Sequence, residues 1–257
     1  MAEKRNIAIV HFNTPELTEA CIKSIRKHDG EDYQIFLFDN STTRPFKHRM
    51  KGIKLFNNTK GKYINFDKEL EKFPGRIEKI GDWANCGFGS AKHQMSVQKL
   101  WELINEPFLL VESDVLITKP LDEFFSYPDY ATVGYKCDHQ KGNKFELGRM
   151  MPMLCWMNVP VLQENGAKYF DPTRTYGLLP NANDKNNWYD TGATLLYDVM
   201  RLKPALKGRH LDIRDYMIHY VSASWKGNNL TAQLDWLDEN KEFFDSKPKT
   251  RKYPNSV

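Results

Sequence analysis

The chain has 257 residues, 40% hydrophobic and 27% charged, which is the composition of a soluble globular protein with ample material for a core. Nothing in it approaches the roughly 20 consecutive apolar residues that span a bilayer, and the opening Met1-Ala-Glu-Lys-Arg-Asn6 lacks a signal-peptide layout, so a cytoplasmic protein is expected. The net charge of +4 is concentrated in residues 241–257, whose five basic and two acidic side chains leave only +1 for the rest, a balance that argues against a nucleic-acid binder.

Asn6–Phe12 reads as a first buried strand. Asn13 or Thr14 then caps a helix that starts at Pro15 and carries Leu17, Ala20, Cys21 and Ile25 on one face. Gln34–Asp39 reads as a second buried strand ending in an acid. Strand, helix and strand within this length form a βαβ unit, so the two strands are expected to be parallel, with His11-Phe12-Asn13 beside Asp39-Asn40. Residues 41–82 are polar and turn-rich, with a short strand at 53–56. Asn85-Cys-Gly-Phe-Gly-Ser-Ala-Lys92 is a glycine-bearing loop leading into a helix through Met95, Leu100, Trp101 and Ile104, and such a helix start can present N–H groups to phosphate.

Phe108-Leu-Leu-Val-Glu-Ser-Asp114-Val-Leu-Ile117 organises everything around it. Four apolar residues run into two carboxylates, and apolar residues then resume. The run reads as a strand of a mainly parallel α/β sheet, whose ligands bind beyond the carboxyl ends of the strands. Alternate residues of an extended chain point the same way, so Glu112 and Asp114 can face one point. Hard oxygen donors in that arrangement suit Mg²⁺ or Mn²⁺, and acids at the lip of a turn are the competing explanation.

A short helix is expected at 120–125 and a strand at 131–135. Residues 136–187 look irregular and aromatic, a composition suited to an acceptor-binding region. Trp188–Tyr197 reads as a turn into a strand, with Asp190 at the reversal. His219 follows within an apolar run, where a histidine is more often a satisfied core residue than a ligand. Cys21, Cys86, Cys137 and Cys155 form no Cys-x-x-Cys pair and read as free buried thiols. Residues 241–257 read as a frayed basic tail, with peripheral contact to anionic headgroups through Phe243, Phe244 and Tyr253 as the alternative. No repeat or linker divides the chain, so one domain is expected: a donor half at about 1–118, an acceptor half at about 119–240, and the tail.

The order of these features resembles the GT-A glycosyltransferases, particularly the inverting family 2-like ones, over roughly residues 6–225. Val10–Ile25 looks like their first strand and helix, Phe38-Asp39-Asn-Ser-Thr42 like the second strand end, and Asn85–His93 like the loop into the donor-contacting helix. Glu112-Ser-Asp114 is similar to the Asp-x-Asp metal motif, Asp190-Thr-Gly192 to the glycine loop beside the acceptor, and His219 with Ser224-Trp225 to the histidine that completes the metal shell. The resemblance implies a nucleotide-sugar donor, Mn²⁺ or Mg²⁺ as cofactor, and a glycan or lipid-linked saccharide as acceptor. Asp114 and His219 are then metal ligands. His11, Asn13, Asp39, Asn85, Lys92 and Glu112 are on the donor, and Asp190 is the base that deprotonates the acceptor, with Asp215 and Asp212 behind it. The Glu-Asp pair that usually carries the base in family 2 is not evident, and only Arg214-Asp215 lies nearby. The strand end together with Asp-Thr-Gly also resembles retaining, glycogenin-like enzymes, in which Asp190 would meet donor-sugar hydroxyls. A nucleotidyltransferase and a non-catalytic sugar-nucleotide binder are the rival classes; the former would need a glycine-rich basic loop where His11-Phe-Asn-Thr-Pro15 stands.

Overall fold

The computed structural model describes residues 5–30, 32–47, 50–71, 86–137, 148–171, 191–201, 206–220 and 229–245. Its centre is a parallel group of four strands: β1 (Arg5–His11), β2 (Tyr33–Asp39), β3 (Ile53–Asn57) and β4 (Phe108–Glu112). Both faces of the middle strands are covered, which is why they are apolar at consecutive rather than alternate positions. Ile7, Ile9, Ile35, Leu37, Leu109 and Val111 pack with Cys21, Ile22 and Ile25 of α1 (Pro15–Asp29). Ala8, Val10, Phe36, Phe38 and Leu110 face the other way, onto Met95, Leu100 and Trp101 of α3 (Cys86–Ile104). A short helix α2 (Phe66–Glu71) lies between β3 and α3 in sequence.

Helix α1 begins at Pro15 as expected, and Thr14 holds the N-cap position without a side-chain cap bond. Asn13 is turned elsewhere, to the loop that follows β2. Beyond β4 the sheet becomes mixed. Strand β7 (Met150–Met157) runs antiparallel to β4 and to β6 (Thr132–Lys136), and β8 (Gly208–His210) lies parallel to β6. The strand order is β3-β2-β1-β4-β7-β6-β8.

Three elements depart from the sequence reading. Strand β7 and helix α4 (Val159–Glu164) occupy a stretch expected to be irregular. Pro152 disguises the strand, because proline removes a ladder donor. The sheet accommodates it where the β6–β7 register slips between Gly134 and Lys136. Residues 193–197, expected as a strand, begin helix α5 (Ala193–Arg201). Its buried stripe of Thr191, Thr194, Leu195 and Asp198 has helical spacing but is mostly polar. Thr194 Oγ1 accepts the Asp171 N–H at 3.0 Å, and Asp198 accepts the Lys168 N–H at 2.7 Å.

The third departure is the carboxyl terminus. Asn229 caps α6 (Leu230–Glu239), and Leu237 packs with Leu17, Ala20 and Leu116. Phe243 and Phe244 join that cluster, and the Glu242 carbonyl accepts from Lys27. The first five residues of the expected frayed tail are therefore docked on the body, and these two rings face protein rather than headgroups. Residues 246–257 lie outside the described residues. Cys21, Cys137 and Cys155 are free and buried, as expected.

Close packing fixes β6 against β7 at Gly134, where an added Cβ would meet the Leu154 carbonyl oxygen at 2.7 Å. Backbone cannot yield as a flexible side chain can, so Gly134→Ala is expected to cost about 2 kcal/mol by overpacking. Thermal unfolding should show a fall of roughly 4–8 °C for a chain of this size.

Candidate metal centre and donor edge

The parallel strands deliver three chain ends to one edge of the sheet: His11-Phe12-Asn13, Asp39-Asn40-Ser41 and Glu112-Ser113-Asp114. After Glu112 the chain turns through Ser113 and Asp114 and leaves the sheet as β5 (Val115–Ile117). There it pairs antiparallel with β9 (Met217–His219), Val115 opposite His219. The Tyr220 N–H donates to the Asp114 carbonyl at 2.9 Å and closes the end of this ladder. The pairing sets the His219 Nε2 3.4 Å from Asp114 Oδ1 and 3.7 Å from Glu112 Oε2. One ligand atom from each of the three side chains lies within 4.8 Å of the others, the single such group among the described residues. All three side chains are partly exposed, so the centre is reachable. Burial works against a charged His219, but the hydrogen bond and charge of Asp114, with the charge of Glu112, outweigh it and raise its pKa above the ordinary value. The site attracts positive charge. Two carboxylates and an imidazole fit Mn²⁺ or Mg²⁺ as a donor set.

The other two chain ends are built differently. Asn13 sits at φ 56°, and its Oδ1 accepts from the N–H groups of Thr42, Thr43 and Arg44, each at 3.0 Å. Asp39 is fully buried and accepts from the Ser41 and Phe46 N–H groups at 2.9 Å. His11 is also fully buried, 2.7 Å from Thr18 Oγ1 and 3.3 Å from the Arg44 carbonyl; burial lowers its pKa, and the Asp39 charge only partly opposes this. Arg44 grips Glu16 through both carboxylate oxygens. Together these side chains hold residues 40–46 against the start of α1. Phe12 is the member of this edge that faces solvent, 39% exposed between two buried neighbours. The sequence reading passed over it, although alternation along β1 points residue 12 away from the side chains of 11 and 13.

Lys92 lies on the first half of α3, with its ammonium 5.7 Å from the centre of the Phe66 ring. The next residue, His93, has Nδ1 3.4 Å from Thr191 Oγ1. Arg149, buried to 3% exposure, donates to the Thr191 carbonyl. Gly192 has φ 86°, and a Cβ there would meet the Met150 carbonyl at 3.1 Å. The turn after residue 190 is thus clamped between α3 and the start of β7. Sequence offered no signal for Arg149, which sits in the stretch read as irregular. Asp190, Asn85 and Ser224-Trp225 lie outside the described residues. Of the reserve bases, Asp212 is locked to Arg214 at 2.9 and 3.0 Å, which holds its carboxyl down at about 2. Asp215 is exposed, pairs with Lys119 at 3.7 Å, and lies in the turn before β9, at the end of that strand opposite His219.

No protein-family model matches the chain, and no curated protein matches it at the level of sequence. Its fold does match solved structures. The galactosyltransferase LgtC in complex with donor and acceptor sugar analogs is 12% identical, with 96% of this chain and 98% of that one covered, at a TM-score of 0.52. An active-site mutant of LgtC is 14% identical over 81% of this chain and 73% of its own, also at 0.52. Mouse xyloside xylosyltransferase 1 in its apo form is 8% identical over 81% and 85%, at 0.50. The chain therefore has the GT-A fold, a Rossmann-like α/β architecture in a single domain.

The donor set makes a direct prediction about metal. Mn²⁺ is expected to raise the melting temperature of the full chain in proportion to ln(1 + [L]/Kd). Asp114→Asn and His219→Ala should each weaken Mn²⁺ by on the order of tenfold or more, since even outer partners of metal ligands cost that much. Isothermal titration checks both values.

Proposed function

We propose that this protein is a metal-dependent glycosyltransferase that moves a sugar from a nucleoside-diphosphate sugar to a hydroxyl of a glycan or lipid-linked saccharide. The observation that carries the reading is the Glu112–Asp114–His219 centre at the carboxyl end of β4, in a sheet of GT-A topology. Breaking the bond between sugar and diphosphate leaves negative charge on the departing phosphate. Mn²⁺ or Mg²⁺, held by Glu112, Asp114 and His219, would supply Lewis-acid stabilisation of that charge.

The remaining parts act through the chain's own groups. Glu112 and Asp114 bind and orient. His219 would serve as a ligand in its neutral form. Lys92 and the amino end of α3 add positive charge toward the diphosphate. Phe12 offers a flat apolar face to the nucleobase, over a loop that His11, Asn13 and Asp39 keep in shape. Asp190 deprotonates the acceptor hydroxyl in an inverting reaction. Asp212 is held by Arg214 and Asp215 pairs with Lys119, which favours Asp190 over these two reserves. The donor half spans about 1–118 and the acceptor half about 119–240. The location is cytoplasmic, with contact to a membrane surface through the basic residues 247–252; among the described residues no helix is long and apolar enough to cross a membrane.

The test is transfer itself. The full chain, with UDP-, GDP-, CMP- and dTDP-sugars, Mn²⁺ and alkyl glycoside acceptors, is expected to form a new glycoside with one donor class, detected by mass spectrometry. EDTA should stop it, and Asp114→Asn should lower kcat by roughly 10²–10³. Proton NMR of the anomeric centre assigns the course: inversion with Asp190→Asn inactive supports a base at that position, whereas retention places Asp190 at the donor sugar. Pyrophosphate release without transfer would mean a nucleotidyltransferase, and binding without turnover a non-catalytic relative.

A separate measurement reads the base platform. Phe12→Ala is expected to raise the donor KM roughly tenfold with kcat little changed, the loss of one stacked base. An unchanged KM would remove Phe12 from the donor site.

A further inference from the structure

The acceptor half contains a cavity of about 280 Å³ that the proposed chemistry does not use. Its walls are Met150 at the start of β7, Gly148 before it, and Leu195, Leu196 and Val199 along α5, with Lys136 at the end of β6. Thr132 and Gly208 complete the lining, which is mostly apolar. Leu196, Val199 and Lys136 are half-buried, so the cavity reaches the surface. Lys136 is its one ionisable group, and the ammonium has no ion-pair partner among the described residues. A lysine with no ion-pair partner among the described residues, over a mostly apolar recess, complements an anion attached to an aliphatic chain.

The place of the cavity in the fold ties it to the acceptor. Helix α5, which forms one wall, starts directly after the Thr191–Gly192 turn. Met150, which forms another, presents its carbonyl to that same turn, 3.1 Å from where a Gly192 Cβ would be. The recess thus lies beside the Thr191–Gly192 turn, next in sequence to Asp190. At this volume it takes a short length of chain and excludes a sugar together with a lipid.

We propose that this cavity is an aglycone subsite for an acceptor whose saccharide is linked through a phosphate to an aliphatic chain, the first methylenes entering between α5 and β7 and the phosphate meeting Lys136. The assignment rests on the glycosyltransferase reading for its purpose, but its binding chemistry is measured without donor or metal. Butyl, hexyl and octyl phosphate are titrated calorimetrically into the full chain in EDTA. Affinity is expected to rise roughly threefold to fourfold per methylene until the recess is full. Lys136→Gln should weaken octyl phosphate by on the order of tenfold, the loss of a charge-assisted contact. Val199→Phe should fill the recess and abolish the dependence on chain length, with Leu196→Phe as the second filling variant if the first unfolds. Asp114→Asn should leave alkyl phosphate binding unchanged, so a failed transfer assay and a failed subsite are told apart. Affinity independent of chain length, or indifferent to both Lys136→Gln and the filling variants, overturns the subsite. Octanoate binding as tightly as octyl phosphate also overturns it, by assigning the recess to fatty carboxylates.

Discussion

Two carboxylates at the end of a buried strand repel each other, and the rest of this protein is arranged around that fact. The chain relieves this with a third group. It breaks the strand after Glu112, directs β5 out of the sheet, and uses the β5–β9 ladder to bring the His219 imidazole beside both acids. In the absence of metal a proton on His219 eases the repulsion, as its raised pKa records. The same three groups offer a ligand set that suits a divalent cation. The ladder is short, with three residues on each side, and it exists where the centre needs it.

The two halves of the sheet edge obey different rules. On the β1–β2 side, buried polar side chains are matched to backbone N–H groups: Asn13 to three, Asp39 to two. Such bonds are costly to leave unmade in a site without water, so the loop over residues 40–46 has one shape. On the β6–β8 side the described walls of the recess are mostly apolar. Rigidity at one end and a recess at the other suit a protein that must hold one ligand in register while admitting part of another.

What could be read from the sequence follows from this division. Strands β1, β2 and β4 were legible because burial on both faces makes them continuously apolar, and Glu112 and Asp114 stood out because acids interrupt such a run. His219 was legible only through the order of motifs, since its own surroundings look like core. The roles of Asn13 and Asp39 within the loop were not legible, because their partners are main-chain groups that no side chain identifies. Helix α5 was misread as a strand because Thr194 and Asp198 occupy its buried stripe, and periodicity is a hydrophobic signal. Strand β7 was missed at Pro152 and at the slipped register that tolerates it. In α5 polar residues are satisfied by partners distant in sequence, and at the carboxyl terminus apolar rings find a cluster formed by α1 and β5.

The β5–β9 ladder also bears on the order in which the molecule is made. Val115 and His219 are paired across more than a hundred residues, whereas β1, α1 and β2 meet within the first forty. Closing so long a loop adds little to the entropy cost compared with a medium one, but it cannot happen until the distant segment exists. A chain emerging from the ribosome therefore carries Glu112 and Asp114 well before it carries their histidine. For that interval the acids belong to an incomplete centre, and the finished one appears only when nearly the whole domain has been synthesised. Assembly of the cation site is in this sense a report that the domain is complete.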